Sequence, residues 1–536
     1  MMPFKKHFLP ADFLFCLLSL AYLCVALWLI KDYGLVYDSV KNIDEGRVNL
    51  QYLLHGGPLS AFQEITVGYQ IHGSFFFMVM ELLSGLLSPV WKDPAASRHI
   101  LLPLLTVLFL VFFYRALRKQ QGGFYALAAV CLLLSTPRFF GSTFNFAKDI
   151  PLFVFCSGAL FFFYEFMETG GKNWKLFHAS GLCLGLALLA KLYALVVPLI
   201  LILWLGSLYF WRLPFPSGAG FPQVDRRKLF LHAGLSLVVI SALGLLFYAP
   251  AFLGIEAKGK MLEFKYDIIF RPHIGASVQP WNLYALKAIL LTLPLGGLMA
   301  FCAGIFWLIW KKTRTAWDAL IALWLIVPLL LPSTSYLRAY DGIRLFMIFF
   351  VPYAVLGASG LAAVSEVFKK WFPRVRLPVF FLLVAAVTGS QVWAVAATHP
   401  DQSLYFNALT GGLRGAQARD TLYAYDYTFS SHRRAAQWAN VHLPPDAVLM
   451  VTSPTSQVLL QYAGLRPDIR CVTIQENHLP NAGGFVLMPF ITGKSNKYTV
   501  GKIRLDDIRK VLKSARPIYT LKSHGGRLLE IYFMNS

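Results

Sequence analysis

The segment Leu188-Leu189-Ala190-Lys191-Leu192-Tyr193 sets one lysine between two long apolar runs, residues 175–190 and 192–210. Each run approaches the roughly 20 residues that a helix needs to cross the hydrocarbon core of a bilayer. A cation in a turn this short, between two apolar helices, has little access to bulk water and needs an anion, for which a lipid phosphate is an economical candidate. Working outward, further apolar runs lie near 11–30, 99–116, 123–137, 150–167, 229–252, 283–310, 316–332, 345–365 and 377–397. The total of about eleven predicts an α-helical polytopic membrane protein. The first run is long and poorly followed by a small-residue cleavage site, so it is expected to be a retained helix.

Composition points the same way. The chain has 536 residues, 57% hydrophobic and 14% charged, whereas an ordinary soluble domain is about 25% charged. Its 49 Lys and Arg against 27 Asp and Glu give a net charge of +22. In a soluble chain that excess would suggest nucleic acid, but no recognition module accompanies it, so no nucleic-acid partner is expected. Its placement instead reads as topology. With Lys5 and Lys6 in the cytoplasm, the loops on that side hold Arg115, Arg118 and Lys119; Lys172 and Lys175; Arg212, Arg226, Arg227 and Lys228; Lys311, Lys312 and Arg314; and Lys369, Lys370, Arg374 and Arg376. Basic loops mark the cytoplasmic side. The opposite loops, 31–98, 138–149, 253–282 and 333–344, mix both signs.

An odd number of spans then puts the chain's last part outside. Residues 1–397 are expected to form the membrane domain, and 398–536 a small extracytoplasmic α/β domain. There the apolar stretches Ala447–Thr452 and Gly484–Pro489 are short and bounded by turn residues. Six of the seven cysteines lie in apolar runs and only Cys471 in a polar region, which is no disulfide framework.

Chemistry is expected where polar residues collect at the outer face. The first outer loop opens Tyr37-Asp38-Ser39-Val40-Lys41-Asn42-Ile43-Asp44-Glu45-Gly46-Arg47. Of the adjacent carboxylates Asp44 and Glu45, one can take a proton from an acceptor hydroxyl while its neighbour raises its basicity or helps hold a cation. Taken as a dipeptide alone, the pair reads first as a solvated loop or as the acidic start of an interfacial helix. The apolar run Phe75–Leu87 suits a helix lying in the membrane plane. Before it, His72 can contact substrate or phosphate, or serve only the helix start. Arg138, Lys148 and Asp149 lie at the ends of two spans and can converge on one cavity with Asp44, or simply anchor those spans. Loop 253–282 has the pattern of an amphipathic surface helix carrying Arg271. Tyr340-Asp341-Gly342-Ile343-Arg344 ends with a planar cation at the membrane edge that suits phosphate oxygens, with Asp341 near enough to orient it.

In this order the motifs resemble those of the GT-C superfamily of polytopic glycosyltransferases, in the bacterial branch like the dolichyl-phosphate-mannose protein mannosyltransferases (glycosyltransferase family 39-like). Asp44-Glu45, followed by Arg47, is similar to that family's first-loop acidic pair. Asn145-Phe146-Ala147-Lys148-Asp149-Ile150-Pro151 resembles its Asn-Pro-Lys-Asp-Ile-Pro segment, with Phe146-Ala147 in place of one proline. Tyr340-Asp341-Gly342-Ile343-Arg344 resembles Tyr-Asp-Gly-Trp-Arg, with Leu345 where His usually follows. His399-Pro400-Asp401-Gln402-Ser403-Leu404-Tyr405-Phe406-Asn407, Gly411-Gly412 and Asp426-Tyr427-Thr428 resemble the start of the outer domain in one bacterial subgroup.

The resemblance implies an inverting transfer of a sugar from a polyprenyl-phosphate donor to an acceptor hydroxyl, at the outer face of the cytoplasmic (inner) membrane. The acceptor would be a protein, lipopolysaccharide or another glycan. It makes Asp44 the general base with Glu45 beside it, and gives the donor phosphate to Lys191, Arg344, Arg271 and Lys148. Asp149 would complete the cavity, and His72, Tyr340 and Asp341 would position substrate. No His/Cys cluster with ligand spacing is present, and a weakly held Mg2+ or Mn2+ at Asp44 and Asp149 would leave no motif. A transporter or flippase and a non-catalytic envelope assembly protein are the alternative readings. Against the transporter, charges collect at one face rather than at mid-span.

Overall fold

The computed structural model describes residues 10–56, 73–217, 225–253, 281–334, 342–371, 376–422, 424–474, 484–491, 499–500, 503–504, 508, 512 and 515–534. Among them the helical part runs α1 (Pro10–Leu29), α2 (Tyr37–His55), α3 (Phe75–Leu87), α4 (Pro94–His99), α5 (Leu101–Gln121), α6 (Gly123–Leu134), α7 (Pro137–Asn145), α8 (Asp149–Glu168), α9 (Trp174–Ala190), α10 (Val196–Trp211), α11 (Arg226–Leu253), α12 (Tyr284–Thr292), α13 (Leu295–Trp310), α14 (Ala316–Leu330), α15 (Phe350–Trp371) and α16 (Arg376–Ala397). Each expected apolar run falls on helix. Eight stretches are long and apolar enough to cross a membrane among the described residues, or nine if α6 and α7, bent by 69°, form one span.

The count differs from about eleven for local reasons. α9 and α13, with 17 and 16 residues, fall short of a full span. Pro294 forces Leu293 into extended backbone (ψ 141°) and cuts the 283–310 run into α12 and α13. Pro137 is the first residue of α7, where its missing N–H costs nothing, and the chain turns there.

The protein is a multi-pass membrane protein. The outer faces of α1, α11 and α16 expose Leu17, Leu20, Trp28, Leu235, Leu237, Leu382 and Trp393. Such a belt would aggregate in water, and in a bilayer it is the lipid-facing surface. Helix α8 is the axis of the bundle, packed against α5 and α9. Phe153 meets Phe109 with ring centroids 4.5 Å apart, and Phe161 meets Trp324 at 5.2 Å. α13 and α15 approach backbone to backbone because both carry glycine at the crossing. A Cβ on Gly304 would lie 1.8 Å from the Leu356 carbonyl oxygen, and one on Gly360 2.0 Å from that of Ala300.

The rest of the chain forms α17 (Gly412–Ala418), α18 (His432–His442), β1 (Val448–Val451), α19 (Pro454–Tyr462), β2 (Arg470–Thr473), β3 (Phe485–Pro489), β4 (Thr499–Val500), β5 (Ile503–Arg504), β6 (Pro517–Ser523) and β7 (Gly526–Phe533). The main sheet has the order β2-β1-β3-β7-β6. β1 is parallel to β2 and β3, and β7 is antiparallel to β3 and β6. α19 makes the crossover that a parallel β1–β2 pair requires. Strand alternation sends Leu449 and Val451 into one core with Ala435, Ala439 and Leu529, and Met450 into another with Val486, Met488 and Ile508. This is the small α/β unit that the short apolar stretches predict.

Residues 399–407 form the seam between helices and sheet. The Asn407 amide donates to the carbonyls of Leu290 (2.6 Å) and Leu293 (2.8 Å), satisfying acceptors left open at the end of α12. Tyr33 Oη donates to Gln402 Oε1 at 2.8 Å, and Arg138 Nε to the Tyr405 carbonyl at 3.0 Å. Asp401 accepts from Arg434 at 2.6 and 2.8 Å.

Candidate active site

The site is built on the amino end of α8. Asp149 is that helix's first residue, where the helix dipole favours a carboxylate. It is 1% exposed, a position that a bare anion would not tolerate. Its Oδ1 accepts from Lys191 Nζ at 3.1 Å and its Oδ2 from Arg344 Nε at 2.5 Å. Lys191 caps α9 in extended backbone (φ −166°, ψ 140°), so the chain breaks there and aims the side chain across the bundle end. Arg344 opens the 3-10 turn 344–349 that leads into α15. Three separate parts of the chain thus meet at one carboxylate.

A second carboxylate completes the network. Asp38, in the first turn of α2, accepts at Oδ2 from Lys148 Nζ at 3.1 Å and from Arg344 Nη2. The Arg344 guanidinium also stacks over Phe146, 4.8 Å from the ring centroid. The extra residue in the Asn145–Pro151 stretch therefore belongs to a segment that gives Arg344 an aromatic floor. Burial works to raise the pKa of Asp38, but Lys148 and Arg344 outweigh it and hold the carboxyl well below the usual carboxylate range.

Helix α2 separates the two acids of the Asp44-Glu45 pair. Its buried face carries Asn42, Glu45 and Asn49, which with Asp38 form a polar stripe at helical spacing. Asp44 is turned away and exposed. Burial raises the pKa of Glu45 well above its ordinary value, with Lys148 pulling it back. Asp44 is also raised, by partial burial first, with Arg47 opposing and Glu81 reinforcing the shift.

Packing fixes α2 in this register. A Cβ on Gly46 would lie 2.6 Å from the Phe77 carbonyl oxygen, so only glycine lets α2 and α3 approach this closely. At its start, Tyr37 N donates to the Thr428 carbonyl at 2.8 Å, and Val36 N to Ser39 Oγ at 3.1 Å. Arg433 pairs with Asp93, whose carboxylate also caps α4 through the N–H groups of Ala95 and Ala96. The sheet unit therefore grips the helix that carries the acids.

Of the residues expected from sequence, Lys148, Asp149, Lys191 and Arg344 come together in one ion-pair network, with Glu45 within electrostatic reach of Lys148. His72, Arg271, Tyr340 and Asp341 lie outside the described residues. Sequence reasoning misses Asp38, although it stands in the Tyr37–Arg47 stretch; reading that stretch as a helix places it on the face of Glu45. A divalent ion at Asp44 and Asp149 fits poorly, because both Asp149 oxygens already accept from cations and Asp44 lies on the exposed face. Among the described residues no group of three His, Cys, Asp or Glu gathers to hold a metal.

Comparison with known proteins bears on the fold. A family profile described as dolichyl-phosphate-mannose-protein mannosyltransferase matches residues 79–220. No curated protein matches the sequence. The crystal structure of ArnT from Cupriavidus metallidurans in the apo state superposes with a TM-score of 0.54 at 13% identity, covering 97% of this chain and 98% of that one. The same protein bound to undecaprenyl phosphate gives 0.51 at 14% identity, covering 97% of both chains. With its helical bundle and its sheet unit, the chain has the fold of ArnT, and its residues 79–220 match the protein mannosyltransferase profile.

Proposed function

We propose that the protein is an inverting glycosyltransferase that moves a sugar from a polyprenyl-phosphate donor to an acceptor hydroxyl. The observation that carries this reading is the convergence of Lys148, Lys191 and Arg344 on two carboxylates at one end of a membrane bundle. As the glycosidic bond breaks, negative charge grows on the departing phosphate. Cations already fixed there, two of them by Asp149, stabilise that charge more in the transition state than in the ground state. In this reading Asp44, exposed and with a raised pKa, takes the proton of the acceptor hydroxyl as the new bond forms. Glu45 beside it, buried and drawn toward its protonated form, shapes the field around the base. Arg271 would add to the donor-phosphate site, and His72, Tyr340 and Asp341 would position substrate.

The reading places the reaction at the outer face of the inner membrane, with the amino terminus in the cytoplasm. It divides the chain into a membrane domain, 1–397, and an extracytoplasmic domain, 398–536. The acceptor would be a protein, lipopolysaccharide or another glycan. The test is transfer of label from a polyprenyl-phosphate sugar by the purified protein, comparing wild type with Asp44→Asn. Loss of transfer in the variant supports the assignment, equal transfer removes Asp44 from the mechanism, and no transfer by either protein from any lipid-linked donor sinks the reading.

A further inference from the structure

The cations at the end of α8 are neutralised by two carboxylates that differ in how firmly they are held. Asp149 is 1% exposed and gives both its oxygens to cations. Asp38 has a side chain 22% exposed, and a single oxygen, Oδ2, receives both Lys148 and Arg344. Asp149 is thus the more buried strut, and Asp38 is a partly exposed anion on two cations that the proposed function assigns to a phosphate.

We propose that Asp38 is a placeholder anion: in the free protein it occupies the phosphate position on Lys148 and Arg344, and a phosphate group binds by displacing it. The inference rests on reading this cluster as the donor-phosphate site. Position supports an exchange: Lys148 and Arg344 both point at one oxygen of Asp38, the place that a phosphate oxygen would take between them. Asp38 also has somewhere to go. Lys41, on the next turn of α2, lies within electrostatic reach of it, and residues three apart on a helix are neighbours. A change of side-chain rotamer therefore moves the carboxylate from one cation to another without moving the helix. The consequence is ordered assembly: Asp38 swings toward Lys41 first, and phosphate then takes the vacated position on Lys148 and Arg344.

The experiment measures binding of inorganic phosphate and, separately, of undecaprenyl phosphate to the purified full-length protein, wild type against Asp38→Asn. The amide keeps the shape and removes the competing charge. The variant is expected to bind both probes about tenfold tighter, the factor that follows if Asp38 closes the site about nine-tenths of the time. Equal or weaker binding of both probes by a folded variant overturns the proposal, because a purely structural Asp38 would give that loss. Tighter inorganic phosphate with no binding of undecaprenyl phosphate by either protein upholds the placeholder and sinks the lipid-donor reading instead. If Asp38→Asn does not fold, Asp38→Ser takes its place: tighter binding of inorganic phosphate than wild type supports the proposal, and equal or weaker binding overturns it.

Discussion

The two ends of α8 carry charge in different ways. At the amino end, the side chains of Lys148, Lys191 and Arg344 are largely buried and three cations face Asp38 and Asp149. At the carboxyl end, Arg115 donates to both oxygens of Glu165 at 2.9 Å, and Lys119 reaches Glu168 at 2.8 Å. Gln120 donates to both Glu168 oxygens at 3.1 Å. There two cations meet two carboxylates, and both cations stay wet, with side chains 59% and 42% exposed. Acids at a helix carboxyl end oppose its dipole, and these cations offset that. The balanced, solvated end fastens α5 to α8. Among the described residues the buried end holds more cations than carboxylates, and that separates it from a clasp.

The comparison can be broken most severely at Asp149. Asp149→Asn leaves Lys191 and Arg344 buried with no charge on their shared partner, so a loss of about 3–5 kcal/mol in stability is expected, together with loss of transfer; thermal unfolding in detergent reads it. A melting temperature close to wild type would mean that the buried end is no more demanding than the wet one.

Arg344→Ala comes next. It removes a fork shared by two carboxylates, and charge-assisted hydrogen bonds of this kind are worth about 1.5–3 kcal/mol. Donor affinity should fall by roughly 10- to 150-fold with acceptor affinity little changed, measured as separate binding isotherms. The reverse pattern would move the phosphate away from this end.

A smaller effect concerns pH. A general base works only when deprotonated, and the folded protein holds the Asp44 pKa above the ordinary aspartate value. The transfer rate should therefore fall on acidification through a limb that lies above the ordinary aspartate pKa. In the Asp44→Glu protein that limb should move, whereas an unmoved limb assigns it to another group.

Least affected is the wet end. Lys119→Ala is expected to cost about 1 kcal/mol or less and to leave transfer rates unchanged. A loss of donor binding in that variant would show that the two ends are coupled through α8.

Much of this architecture is legible in the residues alone. The apolar runs mark the helices, and the short alternating stretches around Leu449 and Val486 mark the sheet. Lys148, Asp149, Lys191 and Arg344 stand out because charges beside spans are scarce. Asp38 escapes notice because residues 31–98 read as a loop, in which an acid at the surface is unremarkable. Once 37–55 is a helix, its 100° per residue step separates Asp44 from Glu45 and lines Asp38 up with Asn42, Glu45 and Asn49. The seam at 399–407 is likewise visible in the sequence only as a motif, since its partners Tyr33, Arg138 and Leu290 lie far away in the chain.

The sequence by itself determined that this chain spans a membrane and folds mainly as helix, because transfer of an apolar run of about 20 residues into lipid is a local free energy that needs no partner. Tertiary structure alone decided which charges neutralise which. Arg344 meets Asp149 across 195 residues and Asp38 across 306. Nothing in the local sequence encodes those encounters; they follow from how the helices pack, and packing is what removes water from the pairs and makes their charge balance matter.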